Sequence, residues 1–278
     1  MQNRVTGSIL TVVAAFAFSL SLLAQTPARP GSGGANPKPD LSGIWDGGNR
    51  VRLAGPGAFG GGPRDSLGGV PAAGFSKEEP SMQPWALEKY QARRQGVGPY
   101  NRGLEAGDPT MYPYCMPRAF PRIYNFDPLV EIVQTPNVVY MNFESDHQVR
   151  RIYVDGRKHL EGWAPSPMGI SHGRWDGDTL VVETENLLSM NKEAWLDTIG
   201  HPFTDALKVT ERIRRPTRDT LQIDFVFDDP GAYTKPWTGK KVFQLTTDAD
   251  MTDSAWCQDH QQENFLRDVR NGMPTGRP

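Results

Sequence analysis

The stretch Ile170 to Leu187, ISHGRWDGDTLVVETENL, decides how the rest of the chain is read. A His, an Arg and a Trp lie on an incoming β-prone run, the chain turns at Asp176-Gly177-Asp178, and it leaves through Thr179 to Thr184. An Asp-Gly pair between two such runs is the strongest short-range hairpin signal, because the tight turn needs positive φ and Gly has no Cβ to resist it. The stretch is therefore read as a β-hairpin.

Working outward, the pattern recurs. Arg174 to Leu180, RWDGDTL, is followed 41 residues later by Arg215 to Leu221, RPTRDTL, with Arg, Asp, Thr and Leu at matching places. Strand-like residues flank both turns, Leu180 to Thr184 after the first, and Val209 to Arg214 and Leu221 to Phe227 around the second. Upstream, Val139, Met141 and Phe143 alternate with Tyr140, Asn142 and Glu144, and the chain returns through His147 to Val154. Such period-two alternation marks a sheet with two different faces. A last strand is expected near Lys241 to Thr246. Tandem hairpins of this kind close most easily into a barrel, so the predicted fold is mainly β: an antiparallel, lipocalin-like barrel or strongly curved meander with a few short helices and long loops.

The N-terminal part reads differently. Arg4 followed by the apolar run Ser8 to Leu23 has the form of a secretory signal over residues 1–25. An uncleaved anchor is the alternative, and the run is shorter than the ~20 residues of a usual span. Residues 26–40 are Pro, Gly, Ala and Asn, a flexible tether, and order is expected from Leu41 onward in one domain over 41–278. Gly43-Ile44-Trp45 resembles the start of lipocalin-like barrels, whose Trp plugs one end. Residues 47–75 are Gly- and Pro-rich and read as a surface loop. Pro84 to Gln95 has Pro in the first turn, good helix formers and Gly96 beyond the end, and is predicted helical. Met111 to Tyr124 is expected to run irregularly over the barrel surface, and Asp259 to cap a short closing helix.

Charge and cysteines bound the function. Without Arg4, 29 basic residues face 32 acidic ones, with no basic block. That leaves no electrostatic footprint for nucleic acid, and once the signal is removed no stable membrane insertion is expected. Export, to the periplasm or outside, makes one disulfide between Cys115 and Cys257 the plain expectation for the two cysteines; a thiol nucleophile is the alternative.

Several runs together resemble a family of secreted, mostly uncharacterised soil-bacterial proteins. They are Ile132 to Pro136, Asp146-His147 with Arg150-Arg151-Ile152, Gly173-Arg174-Trp175 with Gly177 to Val182, Thr198 to Pro202, Thr210-Glu211-Arg212, and Asp228-Asp229-Pro230 with Tyr233 to Trp237. The resemblance implies a lipocalin-like antiparallel barrel over roughly Asp40 to Arg270 and no particular reaction. The chain departs from the family pattern at Met168 to His172, where relatives carry a His before the Ser-x-Gly-Arg-Trp run or none.

Five histidines, His147, His159, His172, His201 and His260, lack the close pairing or Cys-x-x-Cys spacing of a structural zinc site. Strands nevertheless bring distant residues together. His147 with Asp146 is the candidate acid-base pair, since a neighbouring carboxylate tunes an imidazole and fixes its tautomer. Tyr233, held between prolines with Lys235 and Trp237, is a further proton donor, or else part of an aromatic plug. Arg151, His172, Arg174, His201, Lys235 and Trp237 are the candidate substrate-binding residues. Trp175, Asp178 and Thr179 read as hairpin scaffold. Glu211 and Arg212 alternate onto opposite faces and must have different partners. No organic cofactor is implied, because nucleophile elbow, phosphate loop and dinucleotide fingerprint are all missing. A metal held by His147, His172 and His201 is the lesser reading. The function expected is a secreted small-molecule enzyme, a lyase, isomerase or hydrolase working in a barrel lumen. The alternative is a non-catalytic carrier of a hydrophobic or aromatic ligand.

Overall fold

The computed structural model describes residues 38–48, 67–95, 119–125, 129–144, 148–158, 162–192 and 194–251. The expected signal, most of the tether, Asp146, His147, Cys115, Cys257 and the closing helix lie outside the described residues.

Nine strands close into one barrel in chain order: β1 Gly43–Asp46, β2 Leu129–Gln134, β3 Val138–Phe143, β4 Val149–Tyr153, β5 Ile170–Asp176, β6 Thr179–Glu185, β7 Lys208–Thr217, β8 Thr220–Asp228 and β9 Trp237–Thr246. The hairpin that opened the reading is β5–β6, with Asp176 opposite Thr179, and its echo is β7–β8, with Thr217 opposite Thr220 and a bulge after Arg214. Helix α1 spans Pro84–Gln95, as its Pro and Gly punctuation requires.

One pairing departs from an all-antiparallel meander. β4 and β5 run parallel, Ile152 beside Ser171 and Tyr153 beside His172, while the other eight pairings are antiparallel. Strand direction must return to itself around a closed ring, so nine strands cannot all alternate. One parallel step is the least that closes the barrel. Parallel neighbours need a crossover rather than a tight turn, and 16 residues separate the end of β4 at Tyr153 from the start of β5 at Ile170.

Alternation sets the interior. Val139, Met141 and Phe143 on β3, Leu180, Val182 and Thr184 on β6, Val209, Glu211 and Ile213 on β7, and Leu221, Ile223, Phe225 and Phe227 on β8 are all buried. Trp45 is fully buried on β1, its indole N–H donating to the Leu41 carbonyl at 2.9 Å.

Two segments read as surface chain enter the barrel instead. A 3-10 turn, Arg122–Asn125, carries Tyr124 inside, where its ring packs edge-on against Phe143 at 5.3 Å and Phe225 at 5.6 Å. At the other segment, Phe75 meets Phe225 at 4.9 Å and Phe227 at 5.1 Å, and its carbonyl accepts from the Lys240 N–H. β1 is only four residues long and pairs with β9 at Gln244, Leu245 and Thr246 alone, so the early edge of β9 needs another partner. Residue 239 is Gly because a Cβ there would lie 2.5 Å from the Phe75 Cβ. Burying an aromatic ring contributes roughly 1.5–3 kcal/mol, which draws both segments inward despite their irregular, Gly- and Pro-rich sequence. The lumen is consequently a packed core.

Candidate functional site

The loop between β6 and β7 builds a polar cluster at the end of the barrel where β8 finishes and β9 starts. Asp197 organises it from within: one carboxylate oxygen, Oδ1, accepts the backbone N–H groups of Gly200 at 2.9 Å and His201 at 3.1 Å. Gly200 has φ 108°, a conformation reserved for glycine, and a Cβ there would strike the Arg93 side chain at 2.3 Å. That backbone places the His201 Nδ1 2.6 Å from Asp197 Oδ2, while Nε2 lies 2.9 Å from Glu79 Oε2. Glu79 Oε1 accepts from the Tyr90 hydroxyl at 2.6 Å, and the Tyr90 ring stacks on the imidazole at 4.9 Å and 6°. Trp237 closes the other side, 5.6 Å from His201. Helix α1 supplies Tyr90, and the turn before it supplies Glu79.

The electrostatics follow from burial and charge. His201 and Asp197 are buried, whereas the Glu79 side chain is 58% exposed. Burial alone would push His201 down, but the Asp197 and Glu79 carboxylates outweigh it and hold the imidazole up at about 9. Glu79 is held below its usual value, chiefly by the hydrogen bond from His201. Burial and the Glu79 carboxylate push the Tyr90 phenol up. At neutral pH the cluster is thus an imidazolium between two carboxylates, with a proton on Nε2 pointing at the only half-exposed member.

Two further polar groups lie inside the barrel. Arg150 on β4 forms a bidentate pair with Glu211 on β7, Nη1 to Oε1 at 2.9 Å and Nη2 to Oε2. Its guanidinium also donates to Thr184 at 2.8 Å, to Ser171 at 3.1 Å and to the Tyr124 hydroxyl at 3.1 Å, and lies 3.9 Å over the Phe120 ring. Burial opposes the charge on Arg150, yet Glu211 wins and raises its pKa; burial and Glu211 push Tyr124 well up. Every charge-bearing atom in this pair is engaged within the core, so it reads as architecture. Lys241 on β9 is also buried, its ammonium 3.0 Å from the Ala72 carbonyl and 5.0 Å from the Phe75 ring centre, and burial pushes it down to about 7.

The sequence-derived site residues fare unevenly. His201 and Trp237 belong to the rim cluster. Tyr233 sits beside it, but its hydroxyl donates to the Pro202 carbonyl at 2.8 Å in a fully buried position, and burial pushes the phenol well up. It is a plug: its proton is committed to the backbone. Lys235, Arg151 and Arg174 are exposed, the latter two on the outer face, because alternation turns their neighbours Arg150, Ile152 and Gly173 inward. His172 lies on the outer face against Tyr153, with ring centres 6.0 Å apart, away from the cluster around His201. Glu211 and Arg212 do part company: Glu211 meets Arg150 in the core, and Arg212 meets Asp176 outside at 3.1 Å.

Sequence reasoning missed Glu79, Tyr90 and Asp197. Asp197 stands four residues before His201 with Gly200 between them, a local signal that a search for paired histidines passes over. Glu79 is 122 residues away from His201 and carries no local signal. Among the described residues, no group of three or more His, Cys, Asp or Glu side chains is placed to hold a metal ion. No family model, curated protein or solved structure matches the chain.

Proposed function

We propose that the chain is an exported small-molecule enzyme of lyase, isomerase or hydrolase type whose proton-transfer group is His201 at the barrel rim. One observation carries the reading: Nδ1 of His201 is anchored on buried Asp197, and its protonated Nε2 is offered to half-exposed Glu79. A buried carboxylate that fixes the far nitrogen leaves the near one with a defined proton, the arrangement general acid catalysis needs. With a pKa of about 9 the imidazolium is the acid at neutral pH, and the neighbouring Glu79 carboxylate is the base. A substrate oxygen that displaces Glu79 from Nε2 takes the proton, and Glu79, still adjacent, accepts one from carbon or water. Tyr90 and Trp237, both buried, pack against the imidazole and fix the plane of its ring. The rival reading, a lipocalin-like carrier, needs a container, and side chains fill the barrel interior.

The test is a turnover screen in heavy water with small keto acids, ketones and esters, reading deuterium incorporation and hydrolysis by NMR. Wild type is compared with H201Q and D197N, with circular dichroism as the check on folding. At least one substrate class is expected to turn over, with H201Q slower by about 100-fold or more. Equal rates in wild type and H201Q, or no turnover at all, would overturn the proposal.

A further inference from the structure

The end of the barrel opposite His201 carries a second, separate feature. There the segment before β1 crosses the β2–β3 turn and the end of β5, and a cavity of about 380 Å³ opens between Lys38, Asp40, Ser42, Gln134, Thr135 and Trp175. That volume lies within the ~300–1,000 Å³ of small-molecule sites, which favour barrel mouths. Its wall is built. The Gln134 side-chain oxygen accepts the Leu41 N–H at 3.1 Å, and its amide donates to the Pro39 carbonyl at 3.2 Å. The Gln134 backbone N–H donates to the Ser42 hydroxyl at 3.2 Å. These bonds hold the segment against the turn without a ligand.

What remains for a ligand is specific. Trp175 is half-buried, packed against the core from the rim, and lines the cavity. Among the described residues, the Trp175 indole N–H and the Lys38 ammonium have no protein partner. Asp40 lines the cavity, accepts the Ser42 N–H at 2.9 Å and lies in the field of Arg215, whose Nη1 donates to the Asp40 carbonyl at 2.6 Å. Lys38 and Asp40 put one charge of each sign on the lining, so an ion that pairs with one of them also faces its own sign on the other. A neutral ligand with a flat apolar face for the indole and several hydroxyls for one carboxylate, one ammonium and one N–H satisfies every group.

We propose that this mouth binds a neutral pyranose unit, its C–H face stacked on Trp175 and adjacent hydroxyls shared between Asp40 and Lys38. The assignment is independent of the acid-base proposal, since the two places lie at opposite ends of the barrel and share no residue.

The mature chain, labelled with nitrogen-15, is titrated with methyl glucoside, methyl mannoside and methyl N-acetylglucosaminide, with benzoate and tetramethylammonium as charged controls. The indole resonance of Trp175, assigned by its loss in W175L, is expected to shift saturably with at least one sugar and with neither control. D40N, a surface change that leaves the hydrophobic core untouched, is expected to weaken that sugar by about tenfold or more. The proposal is overturned if no sugar moves the Trp175 signal, if benzoate or tetramethylammonium moves it and the sugars do not, or if D40N binds as wild type.

Discussion

Raising the pH acts directly on the His201 clamp. In the folded chain the imidazolium serves Asp197 and Glu79 together, and its pKa stands at about 9 against an ordinary 6.5. A histidine lifted in this way stabilises the fold fully below its unfolded pKa and loses that contribution as pH climbs to the folded one. The window is therefore 6.5 to about 9. The ring and Asp197 are buried but Glu79 is 58% exposed and its share is screened, so the lift corresponds to at most roughly 3 kcal/mol at about 1.4 kcal/mol per decade. That is a large share of the ~5–15 kcal/mol typical of a folded domain. Lys241 works in the opposite sense: burial holds it at about 7 against 10.5, so the unfolded chain binds the extra proton between those values and stability from this group rises with pH. The two slopes overlap, and wild type alone would show a muted profile. The readout is the difference between wild type and H201Q in urea unfolding, measured from below 6.5 to above about 9. That difference is expected to be largest at the acid end and to shrink by ~2–3 kcal/mol across the window, leaving only the cost of lost packing. Nitrogen-15 spectra of the ring should show both nitrogens protonated through neutral pH. A His201 that titrates at or below 6.5, or a difference that does not change with pH, refutes the clamp.

Two further outcomes follow from the buried groups. Glu211→Gln removes one charge of a sealed pair and leaves Arg150 uncompensated, so it should cost about 3–5 kcal/mol. At ~2–4 °C per kcal/mol the melting midpoint falls by roughly 6–20 °C, and joint replacement of Arg150 by Met and Glu211 by Leu should recover most of it. A double variant as unstable as the single one would show that the pair's shape, not its charge, is what the core requires. Lys241→Met removes a desolvated amine, so denaturant unfolding should show a gain in stability that is greatest below about 7 and fades toward 10.5. An equal or lower stability below about 7 would mean that the amine is not desolvated.

The strands were legible because their signal is local. The Asp-Gly turn at Gly177, the echo at Arg215 to Leu221 and the alternation of Val139, Met141 and Phe143 each lie within a few residues, and each maps onto an observed strand or turn. Helix α1 was legible for the same reason, through Pro84 and the residue type beyond Gln95. The parallel β4–β5 step was not legible, because it answers a closure condition on the whole ring. Nor were the inward segments at Phe75 and Tyr124, whose irregular sequence reads as surface chain and whose burial rests on rings from distant strands, Phe143 and Phe225.

The same division runs through the site. Sequence alone determined that β7 sends Glu211 and Arg212 to opposite faces and that the β6–β7 loop brings a histidine to a barrel end, since side-chain period and loop position are properties of neighbouring residues. Only the tertiary structure decided that Glu211 meets Arg150, 61 residues away, in the core, and that His201 lies between Asp197 and a Glu79 that is 122 residues away. A hydrogen bond between side chains depends on where the closed barrel and its covering segments set them in space, and no local pattern records that distance.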